Sequence, residues 1–272
     1  MFSSLMISTL HAPLLMGIGL GLLAQFRPKP LLTLIAASVL LLTAYILLEG
    51  MPALPPVASK QKLAYLLVLA AVLVAATPRR FLPALTGAFL VLAAVWLGWA
   101  RIAQGGGVAL IPVLAPVITA TIGSLFLSRA ETEVFLWPLA LLIFAAGGAV
   151  LSLLGVFVGF AQVSGACAAL VGGLLLVLYV ATQTGRGIAL GVPATAFLML
   201  ALTSVVILIG LFAPQINAVA LLILSATLLM PAVVPAVVPG YARLPAALRP
   251  VAQGIVTAIP AAGALALAYL QT

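Results

Sequence analysis

Titratable and nucleophilic side chains are the raw material of protein chemistry, and this chain carries few of them. Its acids are Glu49, Glu131 and Glu133, its single histidine is His11, its single cysteine is Cys167, and it has no aspartate. General acid–base work needs titratable groups placed around the reacting atoms, and metal catalysis needs a ligand set. One histidine and three glutamates supply neither, and haem ligation by a histidine pair is excluded within the chain. Serine chemistry lacks both its base and its orienting acid. A lone cysteine in an apolar run builds no disulfide framework and no metal cluster. The expectation is therefore no catalysis by this polypeptide alone, no cofactor and no metal. His11 falls inside the first apolar run and reads as a packing or interface residue, the alternative being a proton or ligand contact.

What remains are polar groups at or within apolar segments. The candidate substrate or ion contacts are Glu49, Trp96, Arg101, Gln104, Gln162, Tyr179 and Asn217. Glu49 ends an apolar run, where a carboxylate is either solvated or faces a cavity and holds a cation or proton. Arg101 follows Trp96 and Trp99, a pattern that fits an interfacial aromatic belt with a snorkelling arginine, or an anion contact. The uncharged members either join helices together or line a wet cavity, because hydrocarbon leaves them no other partners. Pro112, Pro116, Pro231 and Pro235 lie inside apolar segments and are expected to kink them, while Gly147, Gly148, Gly172 and Gly173 allow close helix approach. Helices broken in this way surround many transporter sites.

The elements that must position these residues follow from composition. Of 272 residues, 66% are hydrophobic and 5% charged, whereas a soluble domain carries about 25% charged residues. The runs Val134 to Gly185 and Gly187 to Ala242 contain no charge; each is long enough for two crossings at roughly 20 residues apiece. They are apolar on every face, which excludes the alternating pattern of a membrane β-barrel. The fold class is all-α: a polytopic transmembrane helix bundle.

Apolar segments fall at Ser4 to Phe26, Leu31 to Leu48, Leu63 to Thr77, Phe81 to Ala100, Val108 to Leu127, Val134 to Gly155, Phe157 to Thr182, Ile188 to Phe212, Ala218 to Val238 and Val251 to Leu270. That is about ten spans in a single transmembrane domain over 1–272. The first segment reads as a retained helix, since MFSSLMISTL lacks the basic start of a signal peptide.

Lysine and arginine near helix ends stay on the cytoplasmic side. Arg27, Lys29, Arg79, Arg80, Arg129, Arg186, Arg243 and Arg249 fall in odd-numbered connections, against Lys60, Lys62 and Arg101 in even-numbered ones. This predicts an N-terminus outside and a multi-pass protein of a bacterial-type inner membrane. The Lys60 and Lys62 pair argues against its own assigned side. The net charge of +8 is then a topology signal, not a nucleic-acid surface, since no basic patch with aromatic or polar interleaving is present.

Two stretches repeat an order of features: Pro112 and Pro116, then Arg129, then Gly147 and Gly148; and Pro231 and Pro235, then Arg243, then Gly263. The proline-to-glycine separations agree to within one residue, which suggests duplication into halves 31–155 and 156–272 after an extra helix at 4–26. The run IPVLAPVITATIGSLFLSRAETEVFLWPLALLIFAAGGAVLSL, Ile111 to Leu153, resembles the proline helix, short acidic loop and glycine helix that close each half of the drug/metabolite transporter (EamA-like) superfamily. ATPRRF leading into Phe81 to Ala100, and NAVALLILSATLLMPAVV, are similar to it as well. The resemblance covers roughly Leu31 to Leu270. It implies ten helices in two inverted halves around a central cavity, serving export or exchange of small metabolites.

The sequence departs from that pattern at named places. The family's Gly-Glu loop reads Ser128, Arg129, Ala130, Glu131 here, and the second loop, Tyr241 to Pro250, has no acid. The charge count also sets Arg129 and Arg243 on one side, where an inverted repeat requires two.

The functional expectation is a small-molecule or lipid transporter, or flippase, of the cytoplasmic membrane, working without covalent chemistry. Its alternative is a non-catalytic structural subunit that scaffolds a larger membrane-protein complex. Expected partners are membrane lipids, some of them bound, and other membrane-protein subunits; no nucleic acid is expected.

Overall fold

In hydrocarbon every backbone N–H and C=O must find a partner within the protein, so apolar runs of this length fold as helices. A computed structural model describes residues 6–131, 133–185, 190–213, 215–238, 241, 244–245 and 248–271. Arg186, Arg243, Ile188 and the start of the first segment at Ser4 lie outside the described residues. The chain is an all-α polytopic bundle, with no strand among the described residues.

After a π-type turn at Ile7–His11, the α-helices are α1 (Ala12–Phe26), α2 (Pro30–Glu49), α3 (Ser59–Ala76), α4 (Leu82–Gly105), α5 (Ile111–Ser124), α6 (Leu136–Leu154), α7 (Val158–Gln183), α8 (Val192–Phe212), α9 (Ala218–Ser225), α10 (Met230–Val237) and α11 (Arg249–Tyr269). Nine stretches among the described residues are long and apolar enough to cross a membrane. One of them, Arg79–Ser124, spans 46 residues and holds two antiparallel helices: Gly87 of α4 faces Thr121 of α5, and Gly98 faces Leu110. The expected third segment begins earlier than its hydropathy suggested, so Lys60 and Lys62 stand in the first turn of α3 and not in a loop.

Nearly every residue of α8 is buried, and it packs against α2, α3, α4, α5, α6 and α7. A helix apolar on every face can be surrounded on all sides with few polar groups to pair. On one flank α1 and α7 lie side by side and parallel. A Cβ on Gly17 would collide with the Leu170 carbonyl, one on Gly173 with the Leu14 carbonyl, and one on Gly21 with Val177. Only glycine permits backbones this close.

The connections segregate cleanly. Arg79 reaches Glu131, Tyr241 reaches Glu133 and Gly191 lies beside Pro30. These contacts gather the odd-numbered connections at one end, termed here the Arg129 end. Lys62 reaches Trp96, Arg101 lies over Phe212 and Gly155 packs on Ile216, which gathers the even-numbered ones at the opposite, Glu49 end.

Both proline pairs share one local form. A proline ring clashes with the carbonyl four residues earlier and cannot donate to it, so the backbone ahead of it tightens. The 3-10 segment Gly106–Leu110 precedes Pro112, and the 3-10 segment Ala226–Leu229 precedes Pro231. Each pair then occupies the first turn and the interior of the following helix. Their settings differ. Pro112 starts α5 near the Glu49 end, whereas Pro231 stands midway in the span Ala218–Val237 and interrupts it.

Candidate functional site

Six of the seven polar candidates read from the sequence lie at the Glu49 end, on separate elements. Glu49 is the last residue of α2, and its carboxylate meets the Lys60 ammonium at 2.5 Å, with the Glu49 side chain 13% exposed. The Tyr45 hydroxyl donates to the Lys60 carbonyl at 2.8 Å, so the C-terminus of α2 is tied to the N-terminus of α3. The Lys62 ammonium donates to the Trp96 carbonyl at 2.9 Å and stands 5.8 Å from the Trp96 ring centroid. Ser59 donates to the Leu97 carbonyl at 3.0 Å. Glu49 and Trp96 are therefore joined indirectly, through the first turn of α3.

Arg101 sits near the end of α4, its guanidinium 5.6 Å from the Phe212 ring, beside the stacked pair Phe157 and Phe160. Gln104 is exposed in the last turn of α4, and Gln162 is half-buried near the start of α7. Asn217 caps α9, its side-chain oxygen accepting from the Val219 N–H at 2.7 Å; a polar N-cap is what an apolar helix start requires. Tyr179 stands apart at the Arg129 end, edge-on to Phe135 with ring centroids 6.5 Å apart. These seven residues do not converge on one cavity. His11 is exposed, its Nδ1 3.2 Å from the Met6 carbonyl.

A second polar network lies at the Arg129 end, around the interrupted span. Pro235 has no N–H, which leaves the carbonyl of Pro231, four residues earlier, without its helical donor. Arg129, from the connection between α5 and α6, supplies a replacement: its Nη1 donates to the Pro231 carbonyl at 3.0 Å and to the Ala232 carbonyl at 3.1 Å. The same guanidinium lies 5.1 Å from the Phe126 ring. The arginine thus closes a gap that the proline opens more than a hundred residues along the chain.

Beside it, the Tyr241 hydroxyl donates to Glu133 Oε2 at 2.9 Å. Gln253 of α11, 1% exposed, in turn donates from Nε2 to the Tyr241 oxygen. Burial, and then the hydrogen bond to the Glu133 carboxylate, push the Tyr241 phenol up to about 12: ionisation would place a second negative charge against the first in a partly desolvated site. Tyr241 therefore stays protonated and works as a bridging donor and acceptor. The Gln253 Oε1 is buried without a partner among the described residues, as are the hydroxyls of Thr203 and Thr227.

This second cluster was not among the residues singled out from the sequence. Glu133 reads as one more loop acid and Tyr241 as a loop aromatic. Gln253 carried a weak signal, being an amide inside an apolar helix, where hydrocarbon demands a partner.

The bundle interior is closely filled. The cavity lined by Tyr45, Leu63, Cys167 and Val205 measures about 10 Å³, room for one water at most. Larger hollows lie between helices on the outer faces. One of about 320 Å³ is lined by Leu31, Ile35, Val39, Val68 and Val72 of α2 and α3, and one of about 420 Å³ by Leu69, Leu73, Leu92, Trp96 and Trp99 of α3 and α4. Among the described residues no group of three His, Cys, Asp or Glu could hold a metal ion. No protein-family model, curated protein or solved structure matches this chain.

Proposed function

We propose that this membrane protein is a small-molecule or lipid transporter of the flippase type, acting without covalent chemistry and without a cofactor, with lipids bound to its outer grooves. The observation that carries this reading is the interrupted ninth span. Its freed carbonyl is held by an arginine from the connection between α5 and α6, beside the partly buried Glu133–Tyr241–Gln253 chain. Interrupted helices whose backbone is held by side chains are the parts that rearrange around transported ligands. The close-filled interior is then an occluded arrangement. The drug/metabolite transporter resemblance belongs to the same proposal. Its inverted halves fit poorly with Pro112 and Pro231 standing at different depths in spans of the same direction.

The proposed location is a bacterial-type inner membrane. The Arg129 end would be cytoplasmic and the N-terminus outside, because Arg27, Lys29, Arg79, Arg80, Arg129 and Arg249 all stand at one end. Thiol labelling of cysteines introduced at Ala53 and at Thr77 tests the orientation. Labelling from outside at Ala53 alone is expected, and the reverse pattern rejects the assignment.

The transport test uses proteoliposomes loaded with headgroup-labelled phospholipids, with dithionite quenching of the outer leaflet. Protein-dependent quenching beyond half of the label is expected, and Arg129→Met should reduce its rate. Quenching that stops at half for every lipid, together with no uptake of small solutes, rejects transport.

A second reading is a structural subunit of a membrane complex, favoured by the water-sized interior cavity and the aliphatic outer grooves. Stoichiometric recovery with other subunits from native membranes in mild detergent supports it, and recovery as a single species counts against it.

A further inference from the structure

A pocket of about 220 Å³ opens at the Arg129 end, between the N-terminus of α4, the C-terminus of α5 and the start of α8. Arg79, Arg80, Pro83, Ser124, Ser128 and Val192 are among its lining residues. Its chemistry is divided. The outer part carries two guanidinium groups and the Ser128 hydroxyl, while the inner part is Leu82, Leu127 and Val192. Arg79 is held by Glu131 at 2.8 Å, with both side chains about half exposed. Arg80 rests over the Phe81 ring, its carbon 4.7 Å from the centroid, and makes no ion pair or hydrogen bond among the described residues. Five donors thus face solvent with no acceptor, in a fork shaped for phosphate or carboxylate. The N-terminus of α8 adds its partial positive charge.

A second feature leads away from the pocket into the membrane. Leu114, Ile118, Ile122 and Leu125 recur at helical spacing along α5 and its C-cap, all are exposed, and Leu125 also lines the pocket. Cationic donors at a helix end, continuous with an aliphatic stripe running the length of that helix, match a molecule with an anionic head and hydrocarbon tails. A soluble anion would use the first feature and have no use for the second.

We infer that this pocket binds the phosphate of an anionic phospholipid, whose acyl chains lie along the Leu114, Ile118, Ile122 and Leu125 stripe. Glu131 is the competitor for Arg79, so the ligand phosphate and the Glu131 carboxylate share one guanidinium. The inference holds whether the chain transports or scaffolds, because it concerns a bound lipid and not a moving one.

Native mass spectrometry of the detergent-purified full chain tests it, with phosphatidylglycerol and phosphatidylcholine as probes. Phosphatidylglycerol should be retained in preference. An arginine near an anionic lipid surface contributes about a five-fold change in affinity. Arg80→Gln should therefore weaken retention by about five-fold, and Arg79→Gln with Arg80→Gln by more than ten-fold. Removing the competitor, Glu131→Gln, should strengthen it. Arg27→Gln with Lys29→Gln removes equal charge from the same end and should leave retention unchanged. Should the double variant fail to fold, Arg80→Gln and Glu131→Gln still move in opposite directions. Equal retention of phosphatidylcholine, an equal loss in the Arg27 and Lys29 control, or thermal stabilisation by inorganic phosphate as large as that by phosphatidylglycerol would each overturn the inference.

Discussion

Arg129 and Pro235 offer the sharpest test of how this bundle tolerates a broken helix. If the arginine replaces the donor that the proline lacks, its contribution must depend on that proline. Hydrogen bonds to a charged donor contribute about 1.5–3 kcal/mol net. Arg129→Met keeps an aliphatic side chain at this position and removes the guanidinium, with its donors to the Pro231 and Ala232 carbonyls and its place over the Phe126 ring, so a loss of about 2–3 kcal/mol is expected. In a Pro235→Ala background the residue at 235 has an N–H, which can take the Pro231 carbonyl in the ordinary helical bond. The same Arg129→Met substitution should then cost about 1 kcal/mol less, because one of its two acceptors is already satisfied. Other contacts of Arg129 are common to both backgrounds and cancel in the cycle. Reversible unfolding in mixed detergent micelles, followed by far-ultraviolet circular dichroism, gives the four stabilities. Equal losses in the two backgrounds would refute the pairing, as would a larger loss beside alanine.

Further outcomes follow from the same physics. Gly173→Leu should cost about 3 kcal/mol or more, or prevent folding, since its side chain would enter the Leu14 backbone, while Gly19→Ala, with nothing within 4 Å of the added carbon, should be neutral or gain up to about 1 kcal/mol; thermal unfolding in detergent separates the two. Tyr241→Phe should cost about 1–3 kcal/mol by leaving the buried Gln253 amide without an acceptor. A folded-state phenol at about 12 against about 10 unfolded favours the protonated, folded form. That contribution is complete below pH 10 and lost as pH rises from 10 to 12. Thermal stability of the wild-type protein should accordingly fall more steeply over that window than that of Tyr241→Phe, and parallel curves would reject the assignment. Glu49→Gln should leave the pH dependence of any measured flux altered if Glu49 carries a coupled proton. An unchanged flux and pH response across reconstituted vesicles would leave the carboxylate as only the partner of Lys60.

The membrane character, the helical class and the placement of segments were legible because they rest on one-dimensional facts: long apolar runs, charges at their ends, and prolines that restrict the backbone ahead of them. The segregation of odd and even connections to opposite ends follows from the same count. Sequence alone did not disclose which polar groups meet. Glu133, Tyr241 and Gln253 are brought together by the return of α11 against α6, and Arg129 reaches Pro231 only because the fifth and ninth spans lie side by side. Tyr179, a candidate contact on its polarity alone, stands at the opposite end from Glu49, because the residue type of a polar group in an apolar run does not say which other polar groups it will meet. The glycines of α1 and α7 illustrate a third limit: Gly173 was legible as a site of close helix approach, but its partner, the Leu14 carbonyl, and the matching need for Gly17 and Gly21 appear only where two backbones touch.

The two lysines that oppose the charge rule acquire a physical reason in the fold. Lys60 is neutralised by Glu49 at 2.5 Å, and Lys62 is held by the Trp96 carbonyl and ring. Lys60 therefore adds no net charge at its helix end, and Lys62 keeps its charge but is tied to α4; free cations at helix ends are what an electrical potential and anionic lipids hold on the cytoplasmic side. At the other end the net excess of positive charge is larger, although acids and cations stand in the same proportion among the described residues. Glu131 and Glu133 answer Arg27, Lys29, Arg79, Arg80, Arg129 and Arg249, and Arg80 keeps its donors open. Under the proposed orientation, the excess positive charge, the interrupted span and the pocket inferred to take a lipid phosphate all fall on the cytoplasmic face. At the Glu49 end, Lys60, Lys62 and Ser59 join neighbouring helices, while Arg101 lies over Phe212 and Gly155 packs on Ile216. At the Arg129 end, the hydrogen bonds from Arg129 to the Pro231 carbonyl and from Tyr241 to Glu133 join residues more than a hundred apart in the chain, so a rearrangement of the second half of the ninth span must break them.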